Sequence, residues 1–241
     1  MKVLAVIPSR YQSSRLPGKP LADICGKPMI WWVYNKVSQV KGLDAIVATD
    51  DQRIIDVCNS FSIPCIMTGE HSTHISRVHE VSEQIDADYY VTVCGDEPLI
   101  EPEVISTVIP KICHPDECHV EMLMREMNEP TEVIDPGNIK VAVNGANEAI
   151  MLSRSPIPFP YKTIIYKYRK IMGVECYNKK ALDLFVNTEP GHLEKIEDVT
   201  LLRFLENHVI LNYHLVPSQS LSVDTNRDLE KVRIIIKNQI N

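Results

Sequence analysis

No apolar run in the 241-residue chain approaches the about 18 residues that a membrane-spanning helix needs. A charged-then-apolar leader is also missing, Met1 running straight into a strand-like segment, so a cytoplasmic protein is expected. Cysteine occurs seven times but never as C-x-x-C, which predicts mostly free thiols in a reducing compartment. Neither G-x-G-x-x-G nor a Walker loop is present, so the two common glycine-rich phosphate cradles are excluded. Excess positive charge is absent as well: a net charge of −7 argues against a general nucleic-acid binder. Internal repeats and low-complexity segments are lacking. What is there is 44% hydrophobic and 24% charged, the composition of a globular protein with a sizeable core. The length fits one large α/β domain, or a core with a smaller appendage.

Against the acidic background one basic stretch stands out. Val3-Leu4-Ala5-Val6-Ile7 reads as a buried strand and leads directly into Pro8-Ser9-Arg10-Tyr11-Gln12-Ser13-Ser14-Arg15-Leu16-Pro17-Gly18-Lys19-Pro20-Leu21. Arg10, Arg15 and Lys19 sit there without a single acid. Arg offers a planar fork for phosphate oxygens and Lys a point charge. A strand that empties into such a loop makes an anion site at the carboxyl edge of a sheet, where open α/β folds bind ligands. The plain alternative is a solvated basic loop.

Hydrophobic patterning extends this start into a series. Helices are expected at 28–37, 52–60, 76–85 and 102–113, and strands at 45–49, 63–67 and 89–93, with Asp50-Asp51 capping the second helix. This βα alternation predicts a parallel sheet with right-handed crossovers. The second half is less regular. Strands are expected at 120–125, 139–143, 149–153, 171–177 and 210–216. Helices are expected at 179–186, at 193–207 from an apolar 3.6-residue period, and from Val223-Asp224-Thr225 to about residue 238. The Pro-rich segment 155–160 and the basic, aromatic segment 161–170 look like an excursion from the main sheet.

Two acids lie where such a sheet would present them. Asp96, in Gly95-Asp96-Glu97-Pro98, follows the fourth strand, and Gly95 lets a ligand approach the backbone closely. Asp224 stands where a strand-like piece enters the last helix. Two carboxylates beside a phosphate loop suit Mg²⁺, whose shell is completed by phosphate oxygens and water. For Asp224 an N-cap role is equally open. His71, His74 and His79 lie close in sequence, as do Cys113, His114, Cys118 and His119; a surface turn at Pro115-Asp116 accounts for the latter better than a zinc site.

The stretch Ile7 to Leu21 closely resembles the nucleotide loop of CMP-sugar synthetases, in particular the CMP-KDO synthetase (3-deoxy-manno-octulosonate cytidylyltransferase) family. Further matches follow in family order over nearly the whole chain. They are Gly26 to Ile30, Val47 to Asp51, Gly95 to Ile100, Ser153 to Pro158, Leu193 to Glu197, and Val223-Asp224-Thr225 with Asp228-Leu229-Glu230. The resemblance implies a Rossmann-like nucleotidyltransferase fold, a central mostly parallel sheet with helices on both faces. It implies a single domain over 1–241 with a small dimerisation excursion at about 155–178, CTP as donor, Mg²⁺ as cofactor and a homodimer.

Residue by residue, Arg10, Lys19, Asp96 and Asp224 match catalytic positions, with Asp96 and Asp224 as metal ligands. Pro8, Ser9, Arg10, Ser13, Ser14, Lys19 and Gly95 match the nucleotide site. Arg77, Glu194 and Glu197 match positions by the acceptor. Departures gather on that side. Cys94 replaces a glutamine, Thr73-His74-Ile75-Ser76-Arg77 replaces Ser-Gly-Thr-Glu/Asp-Arg, and Ile171 to Tyr177 replaces His-Leu-Gly-Ile-Tyr-Gly-Tyr, bringing in Glu175. Glu175 is open to two readings, a partner for an amino group or a surface acid. The expected reaction transfers CMP from CTP to an acidic acceptor with release of pyrophosphate. That acceptor is a KDO-like 2-keto-3-deoxy sugar acid or an amino-modified variant. A phosphonate acceptor, or a nucleotide binder without catalysis, are the alternatives. Neither nucleic acid nor membrane is an expected partner.

Overall fold

Alternation along the first strand dictates the layers. In β1 (Val3–Ser9) the side chains of Val3, Ala5 and Ile7 enter one core and those of Leu4 and Val6 another. A strand apolar on both faces must be covered on both, each buried Val, Leu or Ile contributing about 1.5–3 kcal/mol. The structure is a computed structural model and describes residues 1–12, 16–163, 165–218 and 220–240.

The small hairpin β2 (Asp23–Ile24) and β3 (Lys27–Pro28) precedes α1 (Met29–Val37). Then come β4 (Asp44–Thr49), α2 (Gln52–Ser60), β5 (Cys65–Met67), α3 (His74–Gln84), β6 (Tyr89–Val93) and α4 (Pro102–Ser106). The second half holds β7 (Val120–Glu126), α5 (Pro130–Ile134), β8 (Lys140–Val143), β9 (Ala149–Ser153), β10 (Arg169–Asn178), α6 (Lys179–Asn187), α7 (His192–Glu197), α8 (Leu202–Glu206), β11 (Leu211–Leu215) and α9 (Asn226–Ile240).

The sheet runs β11-β7-β10-β6-β1-β4-β5. β1 pairs in parallel with β4 and β6, β4 with β5, and β11 with β7. β10 alone in this row is reversed, antiparallel to both β6 and β7, with β8 paired to it and β9 to β8. One face is packed by α1, α2 and α4 through Ile30, Ile54 and Ile105, the other by α3, α6 and α8 through Val78, Leu182 and Phe204. The expected mostly parallel sheet with helices on both faces is therefore present.

A third, smaller core matters for the site. Leu16, at the end of the cationic loop, packs with Ile24, Met29, Val223, Leu229 and Val232. It fastens that loop against α9 and the segment before it.

Two expected helices differ. The one at 102–113 stops at Ser106, short of Pro110, which has no N–H to continue the ladder and disfavours helical backbone at Ile109. The one at 193–207 is two short helices, broken at Asp198 in the left-handed region (φ 50°). Leu193 and Ile196, part of the apolar period, are 37% and 67% exposed. β10 begins at Arg169, so the excursion without regular structure is confined to the residues before it.

Candidate active site

The carboxyl ends of β1, β4 and β6 point the same way, so the segments that follow them meet at one sheet edge. After β1 the cationic loop turns back on itself. Gly18 N–H donates to Tyr11 O at 3.0 Å and Lys19 N–H to Leu16 O at 3.1 Å. Gly18 sits at φ 69°, and a Cβ there would lie 3.2 Å from the Tyr11 ring, so the turn needs glycine twice over. Arg53 of α2 stacks on that ring, 3.3 Å from its centroid. Lys19 then opens a short 3₁₀ turn with Pro20.

Lys19 is thereby aimed across the edge. Its Nζ lies 2.6 Å from Asp96 Oδ2 and 3.4 Å from Asp224 Oδ1. Burial alone would lower the Lys19 pKa, but the two carboxylates outweigh it and hold the ammonium above its ordinary value.

Backbone contacts bring the two aspartates together. Gly95 packs so tightly on the end of β1 that a Cβ would meet Ser9 Oγ at 2.8 Å and Pro8 O at 3.2 Å. Val223 N–H donates to Asp96 O at 2.9 Å. Glu97, 3% exposed, accepts from Ser220 Oγ at 2.6 Å and from Ser222 Oγ. Burial and the neighbouring Asp96 push its pKa up. The N-cap of α9 is not Asp224. Thr225 and Asp228 form a reciprocal capping box, Thr225 N–H to Asp228 Oδ2 at 3.0 Å and Asp228 N–H to Thr225 Oγ1 at 3.3 Å. Asp224 faces Lys19.

Two lobes open over this edge. One, of about 230 Å³, is lined by Lys19, Cys94, Gly95, Asp96 and Asp224; the other, of about 200 Å³, by His71, Ser72, Thr73, Arg77 and Thr200. Pro8, Ser9, Arg10 and His74 border both. Ser9 Oγ is buried without a hydrogen-bond partner among the described residues, a cost of about 1–3 kcal/mol that a bound ligand would relieve.

The structure therefore brings together Pro8, Ser9, Arg10, Lys19, Gly95, Asp96 and Asp224. Ser13, Ser14 and Arg15 lie outside the described residues. Arg77 borders the second lobe, but its guanidinium is engaged with Asp50 at 2.8 Å, Thr68 Oγ1 and Gly69 O. Glu194 is buried in a bidentate pair with Arg203, at 2.6 and 2.8 Å. Glu197 accepts from Ser153 Oγ at 2.7 Å and Arg154 N–H at 2.9 Å. Both carboxylates brace α7 rather than line either lobe. Ile171 borders a groove of about 650 Å³ on the other flank of Asp224, together with Lys170 and Lys231.

Glu175 is no surface acid: it is 3% exposed, beneath His74. The three clustered histidines do not converge, each taking its own acid: His71 Glu80, His74 Glu175 and His79 Asp183. His114 and His119 stack with parallel rings 4.3 Å apart, so their in-plane lone pairs do not converge on one tetrahedral ion. Sequence reasoning missed His74 as the cleft-facing group and Glu97 as the brace. Glu97 was visible as a charged residue within Gly-Asp-Glu-Pro; His74 carried no signal beyond its departure from the motif.

A family model described as Cytidylyltransferase matches residues 4–213. The 3-deoxy-manno-octulosonate cytidylyltransferase of Escherichia coli is 35% identical over 241 residues, covering 99% of this chain and 98% of its own. The 8-amino-3,8-dideoxy-manno-octulosonate cytidylyltransferase of Shewanella baltica (strain OS185) is 39% identical over 237 residues, covering 96% and 97%. A solved structure of CMP:2-keto-3-deoxy-manno-octonic acid synthetase complexed with CTP superposes with a TM-score of 0.93 at 35% identity, over 99% of this chain and 100% of that one.

Proposed function

The chain belongs to the cytidylyltransferase family and is a CTP-dependent nucleotidyltransferase, and from that premise we propose that it transfers CMP to a KDO-like sugar acid, amino-modified forms included. The observation that carries this reading is Lys19 set between Asp96 and Asp224 at the sheet edge. A protein that merely held a nucleotide would not need two carboxylates converging on the phosphate-side cation.

That convergence also fits Mg²⁺. Two hard oxygen donors from separate loops meet at one cationic position, and phosphate oxygens and water would complete the shell. Held by Asp96 and Asp224, the ion would neutralise phosphate charge and ease deprotonation of the attacking hydroxyl. The protein's own groups do the rest. Arg10 and Lys19 stabilise charge on the phosphates and the departing pyrophosphate. Ser9 Oγ donates to the nucleotide, and Gly95 leaves room for it. The acceptor hydroxyl attacks the α-phosphorus in line, so the rate comes chiefly from positioning and charge neutralisation. Glu194 and Glu197 brace α7 and line neither lobe, so they take no part in holding the acceptor.

We place the enzyme in the cytoplasm as a homodimer. No helix among the described residues is long and apolar enough to cross a membrane, and the cysteines are free. Phe159, Tyr161 and Ile165 stand 81%, 87% and 88% exposed in the segment before β10, which supports a contact with a second copy there.

Pyrophosphate release with CTP, Mg²⁺ and a panel of acidic acceptors tests the reading. Turnover is expected with 3-deoxy-manno-octulosonate or its 8-amino analogue. Saturable CTP binding without turnover on any acceptor would overturn it.

A further inference from the structure

Besides Arg10, one further side chain that can carry positive charge borders both lobes, and it lies outside the matched motifs. His74 is the first residue of α3, and Thr73 caps that helix, its Oγ1 accepting from Ser76 N–H at 3.1 Å. The capped turn directs His74 toward β10, where Nε2 lies 2.7 Å from Glu175 Oε2. The same oxygen accepts from the Tyr177 hydroxyl at 2.6 Å. The Glu175 side chain is 4% exposed and that of His74 28%, so the carboxylate is sealed behind the imidazole. What the cleft meets is the histidine. When the ring is protonated, one N–H stays on the carboxylate and the other is offered to a ligand.

We propose that His74, held in place by Glu175 and Tyr177, receives an anionic oxygen of the acceptor and thereby sets acceptor choice. The inference rests on the CMP-transfer reading above and deepens it. The acceptors it selects carry a carboxylate or comparable acid beside the attacking hydroxyl, and the pocket's own acid steadies the histidine instead of reading an amino group. The acceptor is favoured as the source of that oxygen because Glu175 and Cys94, beside His74, stand where the resemblance set out above breaks, whereas Arg10, Lys19, Asp96 and Asp224 stand where it holds.

The surrounding charges agree. Burial favours neutral imidazole, but Glu175 reverses this and Asp96 adds to it, while Arg10 opposes; the net effect raises the His74 pKa. Glu175 is lowered despite its burial, and Tyr177 is raised, which keeps it a hydrogen-bond donor. Besides these, Lys19, Cys94 and Asp224 border the same lobe as His74, and His71 and Arg77 border the other. With His74 protonated, the pair is neutral overall and its positive end is toward the cleft.

The test is steady-state kinetics with CTP, Mg²⁺ and either 3-deoxy-manno-octulosonate or its 8-amino analogue, on the wild type, His74→Gln and Glu175→Gln. His74→Gln should raise the acceptor KM about ten- to a hundredfold and leave the CTP KM within about twofold. Glu175→Gln keeps the imidazole but removes its counter-charge. It should move the alkaline limb of kcat/KM for the acceptor down toward the ordinary histidine value of 6.5, which a purely structural role would not do. An unchanged acceptor KM in His74→Gln overturns the proposal, as does a rise confined to CTP, which would put the oxygen on a nucleotide phosphate. If the wild type turns over neither sugar acid, the functional reading fails instead. His74 is then decided by proton NMR titration, its signal identified by its loss in His74→Gln. An imidazolium persisting above 6.5 in the wild type but not in Glu175→Gln upholds the pair, and a histidine neutral there overturns it.

Discussion

The two sides of the cleft are built differently. The phosphate side is held by backbone: the turn at Gly18, the Gly95 contact with β1 and the Val223 N–H to Asp96 O bond fix where Lys19, Asp96 and Asp224 point. The acceptor side is held by side chains. His74 and Glu175 lie 101 residues apart, on a helix start and on a strand whose pairing with β7 shifts register between Ile171 and Glu175. Backbone scaffolding tolerates few changes, because every contact depends on the path of the chain. A side-chain pair on two rigid elements can be exchanged without moving either. Under the proposed function, donor chemistry and acceptor recognition would thereby be separable in one fold.

Substitutions can break that contrast. The largest effect is expected for Asp96→Ala, which should lower kcat at least about a thousandfold, roughly 4 kcal/mol in barrier, with the circular-dichroism spectrum unchanged. Normal turnover would remove Asp96 from the metal site. Next comes Glu194→Gln, which leaves buried Arg203 without its counter-charge and should cost about 3 kcal/mol of stability by denaturant titration. The acceptor KM should stay near wild type; a selective rise would return Glu194 to the acceptor's surroundings. Gly95→Ala should then cost about 1–3 kcal/mol and lower kcat, since the new methyl meets Ser9 Oγ and Pro8 O and pushes Asp96 away. Unaltered kinetics would show that the phosphate side is less constrained than its backbone contacts imply.

The smallest effect is the pH dependence of the acceptor-side pair. The lowered pKa of Glu175 gives stability present above the ordinary 4.5 and lost as pH falls through its folded value. The raised pKa of His74 gives stability full below 6.5 and lost as pH rises through its folded value. The Tm advantage of the wild type over Glu175→Gln should therefore peak between these pH values and shrink on either side. A gap constant with pH would show that the pair is not charged.

Legibility in the sequence follows the same division. Elements bounded by their own local chemistry were readable: α2 from Asp51, whose Oδ1 accepts from Arg53 N–H at 2.9 Å, and β6 from its apolar run. The cationic loop, Asp96 and Gly95 were readable because each lies within one short stretch. The reversal of β10 was not, since strand direction depends on the path of the chain beyond it. The break at Asp198 hid inside an apolar period that two exposed residues happened to share. Asp224 could be resolved from a helix cap only once the Thr225–Asp228 box was seen. Nothing local to Glu175 told of His74, because their contact exists only after the sheet has formed.

An intact donor site facing an acceptor site for a KDO-like acid must yield a CMP ester of that acid. Phosphorus NMR of CTP, Mg²⁺ and 3-deoxy-manno-octulosonate or its 8-amino analogue, with and without the enzyme, tests it most directly. A CMP phosphodiester and pyrophosphate should appear in equal amounts with at least one of the two acids, and neither with Asp96→Ala. Saturable CTP binding with no CMP ester from either acid would contradict it.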